Sequence, residues 1–305
     1  TRRTLLLTTG VIPASARLET GAARAATPGQ RIPGRRFEGD ALREIAFPLG
    51  GIGTGTVSLG GYGNLRDWEI FNRPNKGGVL PLTFLALRLE GGGLKAPMIR
   101  VLERQRHPPF TGGHGLPRET AVGLPRFRHA VFTGAYPFAH LALSDAAVPV
   151  DVELEAFNPM IPLDTDGSSL PVAILTYRFR SRAAAPLRCA VAFSIMNPVG
   201  YDGVTRLTGR RAPFFGHNRN ELRREGNLAG IFMSSDKYHP DSVRYGSMAL
   251  VTDQPDLSWR MRWEHGRWWD EFHNWWDEFL EKGRFSNREA DPSADGETEY
   301  ATLAA

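Results

Sequence analysis

Apolar and polar positions alternate along much of this chain with a period of two. The clearest run is 148–157, where Val148, Val150, Val152, Leu154 and Ala156 point one way and Asp151, Glu153 and Glu155 the other, the pattern of a half-buried strand. By contrast, 170–177 is almost continuously apolar, as a central strand covered on both faces would be. Further strand-like runs fall at 54–59, 67–72, 82–90, 99–105, 128–133, 139–143, 187–195, 228–233, 247–251 and 257–263, separated by Gly and Pro clusters. Long loops are expected at 108–125 and 198–227. Together these predict an all-β fold, an antiparallel β-sandwich.

One stretch departs from that period. In 267–282, RWWDEFHNWWDEFLEK, the residues Trp268, Trp269, Phe272, Trp275, Trp276, Phe279 and Leu280 share one broad helical face. Asp270, Glu271, His273, Asn274, Asp277 and Glu278 fill the other, and Gly283 stands where a helix would end. The sandwich therefore carries one C-terminal amphipathic helix. Its bland reading is a helix packed on its own sheet. So large an aromatic payload also suits interdomain packing, with Trp268, Trp269, Phe272, Trp275, Trp276 and Phe279 as the contact set. The polar tail 284–305 reads as an interdomain linker, giving an expected division into 1–36, 37–266, 267–283 and 284–305.

The chain has 305 residues, 41% hydrophobic and 23% charged, the composition of a globular protein with a substantial core. Its net charge of +4 is not evenly spread. Residues 1–36 hold seven arginines against one glutamate, a net of +6, so the rest carries −2 of the total. That balance argues against nucleic acid as a partner of the body. The leader itself, TRRTLLL followed by an apolar stretch to Ala16 and an Ala23-Arg24-Ala25 site, resembles a twin-arginine export signal, which predicts a periplasmic or extracellular protein; a disordered tail is the alternative, and a cytoplasmic location goes with it. No apolar run reaches the roughly 18 residues of a transmembrane helix. The single cysteine, Cys189, shares a strand face with Leu187, Val191 and Phe193 and reads as a packed thiol.

Candidate chemistry concentrates in 44–76, EIAFPLGGIGTGTVSLGGYGNLRDWEIFNRPNK. Glycine at this density lets a sheet edge turn sharply or come close to another surface. It is not a nucleotide cradle. Pro48 interrupts the approach, Thr56 stands where a third glycine is needed, strand-forming residues follow instead of a helix, and no Gly-Lys-Ser or Gly-Lys-Thr is present. Arg66, Asp67, Trp68, Glu69 and Asn72 can serve a sugar, the aromatic face stacking on a pyranose and the polar groups satisfying its hydroxyls. In a regular strand Asp67 and Glu69 share one face, so they approach the sugar from one side only, an orienting pair and not a flanking catalytic pair. A plain surface pair backed by core residues is the competing reading. Asn218, Asn220, Glu221 and Arg223 form a second polar cluster. No metal is predicted: Asp164-Thr165-Asp166-Gly167 misplaces the glycine of a calcium loop, and the eight histidines lack ligand spacing. No cofactor is expected either.

Three ordered blocks carry a resemblance. FPLGGIGTGTVSLGGYGNLRDWEIFNRP at 47–74, EAFNPMIPLDTDGSSLPVAILTYRF at 155–179 and NRNELRREGNLAGIFMSSD at 218–236 are similar to the N-terminal domain of glycoside hydrolase family 116, the non-lysosomal glucosylceramidase or bile-acid β-glucosidase family. The resemblance implies a large antiparallel β-sandwich of the supersandwich kind and an enzyme that hydrolyses β-glucosides with retention, glucosylceramide among them. It also implies that the nucleophilic glutamate and the acid/base aspartate lie in a C-terminal (α/α)6 domain. Only one long helix is legible here, so that domain is expected outside this chain, which is left with no catalytic residues and a role in shaping the cleft. The resemblance places Asn218, Asn220, Glu221 and Arg223 among ordered loops at that cleft. The expected partners are a β-glucoside or glycolipid substrate and the (α/α)6 domain. A stand-alone carbohydrate-binding or assembly module, without catalysis, is the alternative.

Overall fold

A computed structural model describes residues 2–9, 34–108, 116, 120–207, 209–211, 213–265 and 271–305, with the backbone alone for 2–9. Within these, eighteen strands form three sheets. In chain order they are β1 (Arg2–Thr9), β2 (Arg35–Glu38), β3 (Ala46–Leu49), β4 (Thr56–Gly60), β5 (Leu65–Glu69), β6 (Phe84–Gly91), β7 (Met98–Arg104), β8 (Arg126–Phe127) and β9 (His129–Ala135). There follow β10 (Phe138–Ser144), β11 (Val150–Phe157), β12 (Val172–Ser181), β13 (Leu187–Met196), β14 (Asn218–Glu225), β15 (Leu228–Ser235), β16 (Met248–Thr252), β17 (Ser258–Arg260) and β18 (Tyr300–Ala304). Two helices complete the fold, a single turn α1 (Thr165–Ser168) and α2 (Glu271–Lys282).

The larger sheet runs β14-β15-β16-β1-β12-β11-β10-β9-β2, the second β17-β18-β13-β6-β7-β8, and a small third β3-β4-β5. All pairings are antiparallel except β7 with β8. The two large sheets pack face to face, β7 against β9 and β10 and β15 against β18, around one continuous core. Alternation decides which side chains enter it. Val150, Val152, Leu154 and Ala156 of β11 are buried, as are Ala173, Leu175 and Tyr177 of β12, whereas Glu153 is exposed. Burial also suppresses ionisation of Tyr177, whose phenol is pushed far above its ordinary pKa.

Strand β6 is buried on both faces because α2 covers its outer side. Phe84 meets Trp275 edge-on at 5.1 Å, and Arg88, itself buried, donates from Nε and Nη2 to the carbonyls of Leu280 and Glu281 at 2.6 and 3.1 Å. Those are the carbonyls a helix end leaves unpaired, and Gly283 at φ +66 completes the stop. Trp275 and Phe279 are fully buried in this core while Phe272 and Trp276 are half-buried. The helix is thus a core element of the sandwich, and its two deepest aromatics are not available to a second domain. Trp268 and Trp269 lie outside the described residues.

Three expectations are corrected. The tail 284–305 is not a linker: it returns to the second sheet as β18, hydrogen-bonded between β17 and β13 with every residue of the strand buried. Within the expected loop 198–227, residues 218–225 form β14. In the leader, Arg2–Thr9 and Arg35–Glu38 are strands of the large sheet rather than disordered chain. Most of the expected loop 108–125 lies outside the described residues.

Candidate functional site

The glycine-rich segment joins β3 to β4, and its close approach is to this chain's own loop. A Cβ on Gly51 would lie 2.5 Å from the backbone of Ser169 and Leu170, and the Ile52 amide donates to Ser168 O at 2.9 Å. Asn158 fastens the same corner, accepting from the Gly50 amide at 2.8 Å and donating to Pro48 O at 2.6 Å. In turn α1 is held by Asp164, which accepts from the Gly167 amide at 2.9 Å; the stretch that resembles a calcium loop is a capped helical turn. No group of three metal-ligating side chains occurs among the described residues.

Asp67 and Glu69 do not share a strand face. Asp67 adopts φ +52 and the β4–β5 register slips between Thr56 and Ser58, so alternation breaks and Asp67 and Trp68 are both buried. Asp67 accepts from the Gly77 amide at 2.6 Å and from Arg66 Nε at 3.4 Å. Glu69 accepts from the Asn75 amide at 3.3 Å and from Lys76 Nζ at 2.7 Å. Both carboxylates therefore shape the 72–78 loop. Exposed Asn72 reaches across to Val243 O at 3.2 Å. The Trp68 ring is wholly interior, with no hydrogen-bond partner for its indole N–H among the described residues, and presents no face to a sugar.

Strand β14 divides the second cluster between two faces. Asn218 and Asn220 are buried: Asn218 donates to Val199 O and Asn220 to Met261 O, both at 2.8 Å, and Asn197 donates to Asn220 Oδ1 at 3.0 Å. Outward, Glu221 pairs with Arg223 at 2.9 Å, and the Arg223 guanidinium lies 3.5 Å over the Phe232 ring. Two asparagines here cross-link strands, and a charged row guards a sheet edge. Among the described residues no hydrogen bond or ion pair joins these side chains directly to those of Arg66–Asn72.

It does bring loops together. By strand register, the connections 136–137, 158–171, 197–217, 236–247, 70–83 and 261–299 leave the same end of the sandwich, joined there by the 50–55 turn. Eleven large apolar side chains are well exposed among the described residues, and ten lie at this end. They are Ile52, Tyr136 and Phe138; Met160, Ile161 and Leu163; Val204 and Phe214; and Val243 and Tyr245. Leu163 is the extreme case, fully exposed at 104% and held at φ +69, a backbone region leucine seldom occupies. The turns at the other end, 92–97, 145–149, 182–186, 226–227 and 253–257, expose none of their own, and the eleventh, Val122, lines a pocket with Asp145 and Ala147 of that end.

The same end carries a wide polar cleft of about 890 Å³, lined by residues that include Arg210, His265, Arg288, Asp291 and Glu299. At its floor, buried Glu299 accepts from His265 Nε2 at 3.1 Å and pairs with Arg262 Nε at 2.9 Å, while His265 Nδ1 lies 3.3 Å from Glu271. Burial disfavours the charged imidazole, but bonds to Glu271 and Glu299 outweigh it and hold the ring's pKa above its ordinary value. Arg210 pairs with Glu297, and Arg288 with Glu264. Beside the cleft, Phe71 meets Tyr201 edge-on at 4.8 Å and Tyr201 stacks on Phe215 at 5.2 Å, and the Tyr201 phenol is pushed up to about 12 by burial and by neighbouring Asp202. None of these cleft residues stands out in the sequence, since they are spread from 210 to 299.

Against this geometry the comparison with known families is decisive. A family model described as beta-glucosidase 2, glycosyl-hydrolase family 116 N-terminal, matches residues 46–305, which includes every loop of the apolar end, the cleft and strand β18. The chain belongs to glycoside hydrolase family 116, as its N-terminal domain.

Proposed function

We propose that this domain is the non-catalytic partner of a retaining β-glucosidase of the glucosylceramidase-like kind, and that its apolar loop end is the seat of the catalytic (α/α)6 domain. Membership of the family implies a catalytic partner domain in the same protein. The observation that carries the reading is the asymmetry of exposed apolar side chains, ten at one end against Val122 alone beside the turns of the other. Exposed aliphatic and aromatic side chains in that concentration mark an interaction surface. The neighbouring cleft, lined by paired carboxylates, arginines and His265, supplies hydrogen-bonding groups that would border a carbohydrate cleft at the junction. A β-glucoside is the substrate of the assembled enzyme, glycolipids being within that class.

Purified chain 1–305 mixed with an aryl β-glucoside tests the division of labour. No hydrolysis is expected from the chain alone, and turnover should appear when the catalytic portion of the same protein is supplied as a separate polypeptide. Turnover by 1–305 alone would refute the reading, as would full activity of the catalytic portion without it.

A further inference from the structure

The nine-stranded sheet has a seam. Strands β14-β15-β16 form one block and β12-β11-β10-β9-β2 another, and β1 alone joins them. Because β1 is antiparallel to both neighbours, β12 and β16 run parallel to each other. Without β1 they would stand two strand spacings apart, about 9.5 Å, too far for a direct hydrogen bond and the width of one strand. Two facing rows of peptide N–H and C=O groups would then lose their partners.

The register fits one extended segment closely. Residues 2–8 pair with 178–172 of β12, and residues 5–9 with 252–248 of β16. Leu5 stands opposite Leu175 and Thr252, and Leu7 opposite Ala173 and Leu250, all four of them buried. Tyr177 of β12 and Thr252 of β16, which pair with Arg3 and Leu5, line one narrow cavity together with Gln254 and with Val191, Phe193 and Leu303 of the facing layer. No proline interrupts 2–9.

We propose that the seam between β12 and β16 is a strand-accepting slot whose occupant is the chain's own segment Arg2–Thr9, so that the residues carrying the twin-arginine-like pattern are a structural strand of the folded domain. The inference is independent of the docking end described above. The slot takes a segment of at least seven residues, extended and antiparallel to both walls. Loss of the segment opens the large sheet into two blocks.

Amide hydrogen exchange on the full chain 1–305 tests this. Residues 2–9 are expected to exchange slowly, together with 172–178 and 248–252. In the Leu6→Pro variant, exchange at 172–178 and 248–252 should rise at least tenfold while 84–91 and 187–196 of the second sheet stay protected. A synthetic Arg-Arg-Thr-Leu-Leu-Leu-Thr-Thr peptide added to that variant should restore protection, and the same peptide with proline at its centre should not. Should the variant unfold altogether, the wild-type chain still decides. Exchange of 2–9 at the rate of an unstructured peptide would overturn the proposal, and so would walls in Leu6→Pro that remain protected, which would mean that another segment closes the seam.

Discussion

Trp263 and Trp275 share one acceptor. Their indole N–H groups both donate to Thr302 Oγ1, at 3.1 and 2.9 Å, and their rings stack 5.7 Å apart at 26°. The first follows β17, the second is the centre of α2, and the hydroxyl belongs to β18. One buried oxygen thus ties the aromatic helix to the last strand, which is why neither behaves as a linker.

Replacing that hydroxyl by a methyl, Thr302→Val, leaves two buried donors without a partner at nearly unchanged volume. The expected loss is about 2 to 6 kcal/mol, at roughly 1 to 3 per orphaned group. Thr302→Ser keeps the acceptor and should lose far less. Urea unfolding midpoints of the two variants check the difference, and equal midpoints would contradict it.

The glycines of the opening motif make separable predictions. Gly51 has no Cβ space, since backbone atoms of Ser169 and Leu170 lie 2.5 Å from that position, whereas Gly53 faces open space at φ +73. Gly51→Ala should therefore cost about 2 kcal/mol or more by forcing backbone apart. Gly53→Ala should cost about 1 kcal/mol, the left-handed backbone penalty alone. Thermal unfolding of the pair checks the order.

Most of the fold was legible because burial on one face prints a period of two, and each of the twelve runs read as strands contains a strand. The failures have physical causes. β14 reads as a loop since its inward positions include Asn218 and Asn220, whose burial depends on carbonyls at Val199 and Met261 that no local pattern reveals. β18, Tyr-Ala-Thr-Leu-Ala, lacks alternation because it is buried on both faces. Asp67 and Glu69 were readable as polar and important, yet a positive φ and a bulge turned them from a sugar-facing pair into struts of a loop. The cleft was hidden for a different reason: Arg210, His265 and Glu299 meet only through long-range topology.

His265 gives the cleft a pH dependence. Its pKa is raised in the folded protein by Glu271 and Glu299, against burial and the nearby Arg210. The attachment of His265 to Glu271 of α2 and to Glu299, the residue before β18, is therefore fully stabilising below the unfolded value of 6.5 and is lost as pH rises through the higher folded value. Relative to wild type, His265→Gln should be least stable in mildly acidic solution and should converge on it in alkali. Denaturation curves across that range check the sign; a gap that widens with pH would contradict it.

Leu163 separates folding from docking. Its side chain is fully exposed and its backbone stands at φ +69, so nothing in the domain's own packing is lost when it changes. Leu163→Asp should leave the melting temperature of the chain within the change expected of a neutral surface site, about 0.5 kcal/mol, since aspartate tolerates the left-handed region better than leucine. If the apolar end receives the catalytic domain, the same substitution buries a carboxylate against an apolar partner surface. Combined with Val243→Asp, exposed 77% on another loop of the same end, it should weaken association of the separately supplied catalytic portion by more than tenfold, about 1.4 kcal/mol. Scanning calorimetry reads the stability and titration calorimetry the association of the same preparation. Unchanged association with unchanged stability would move the docking face elsewhere on the domain.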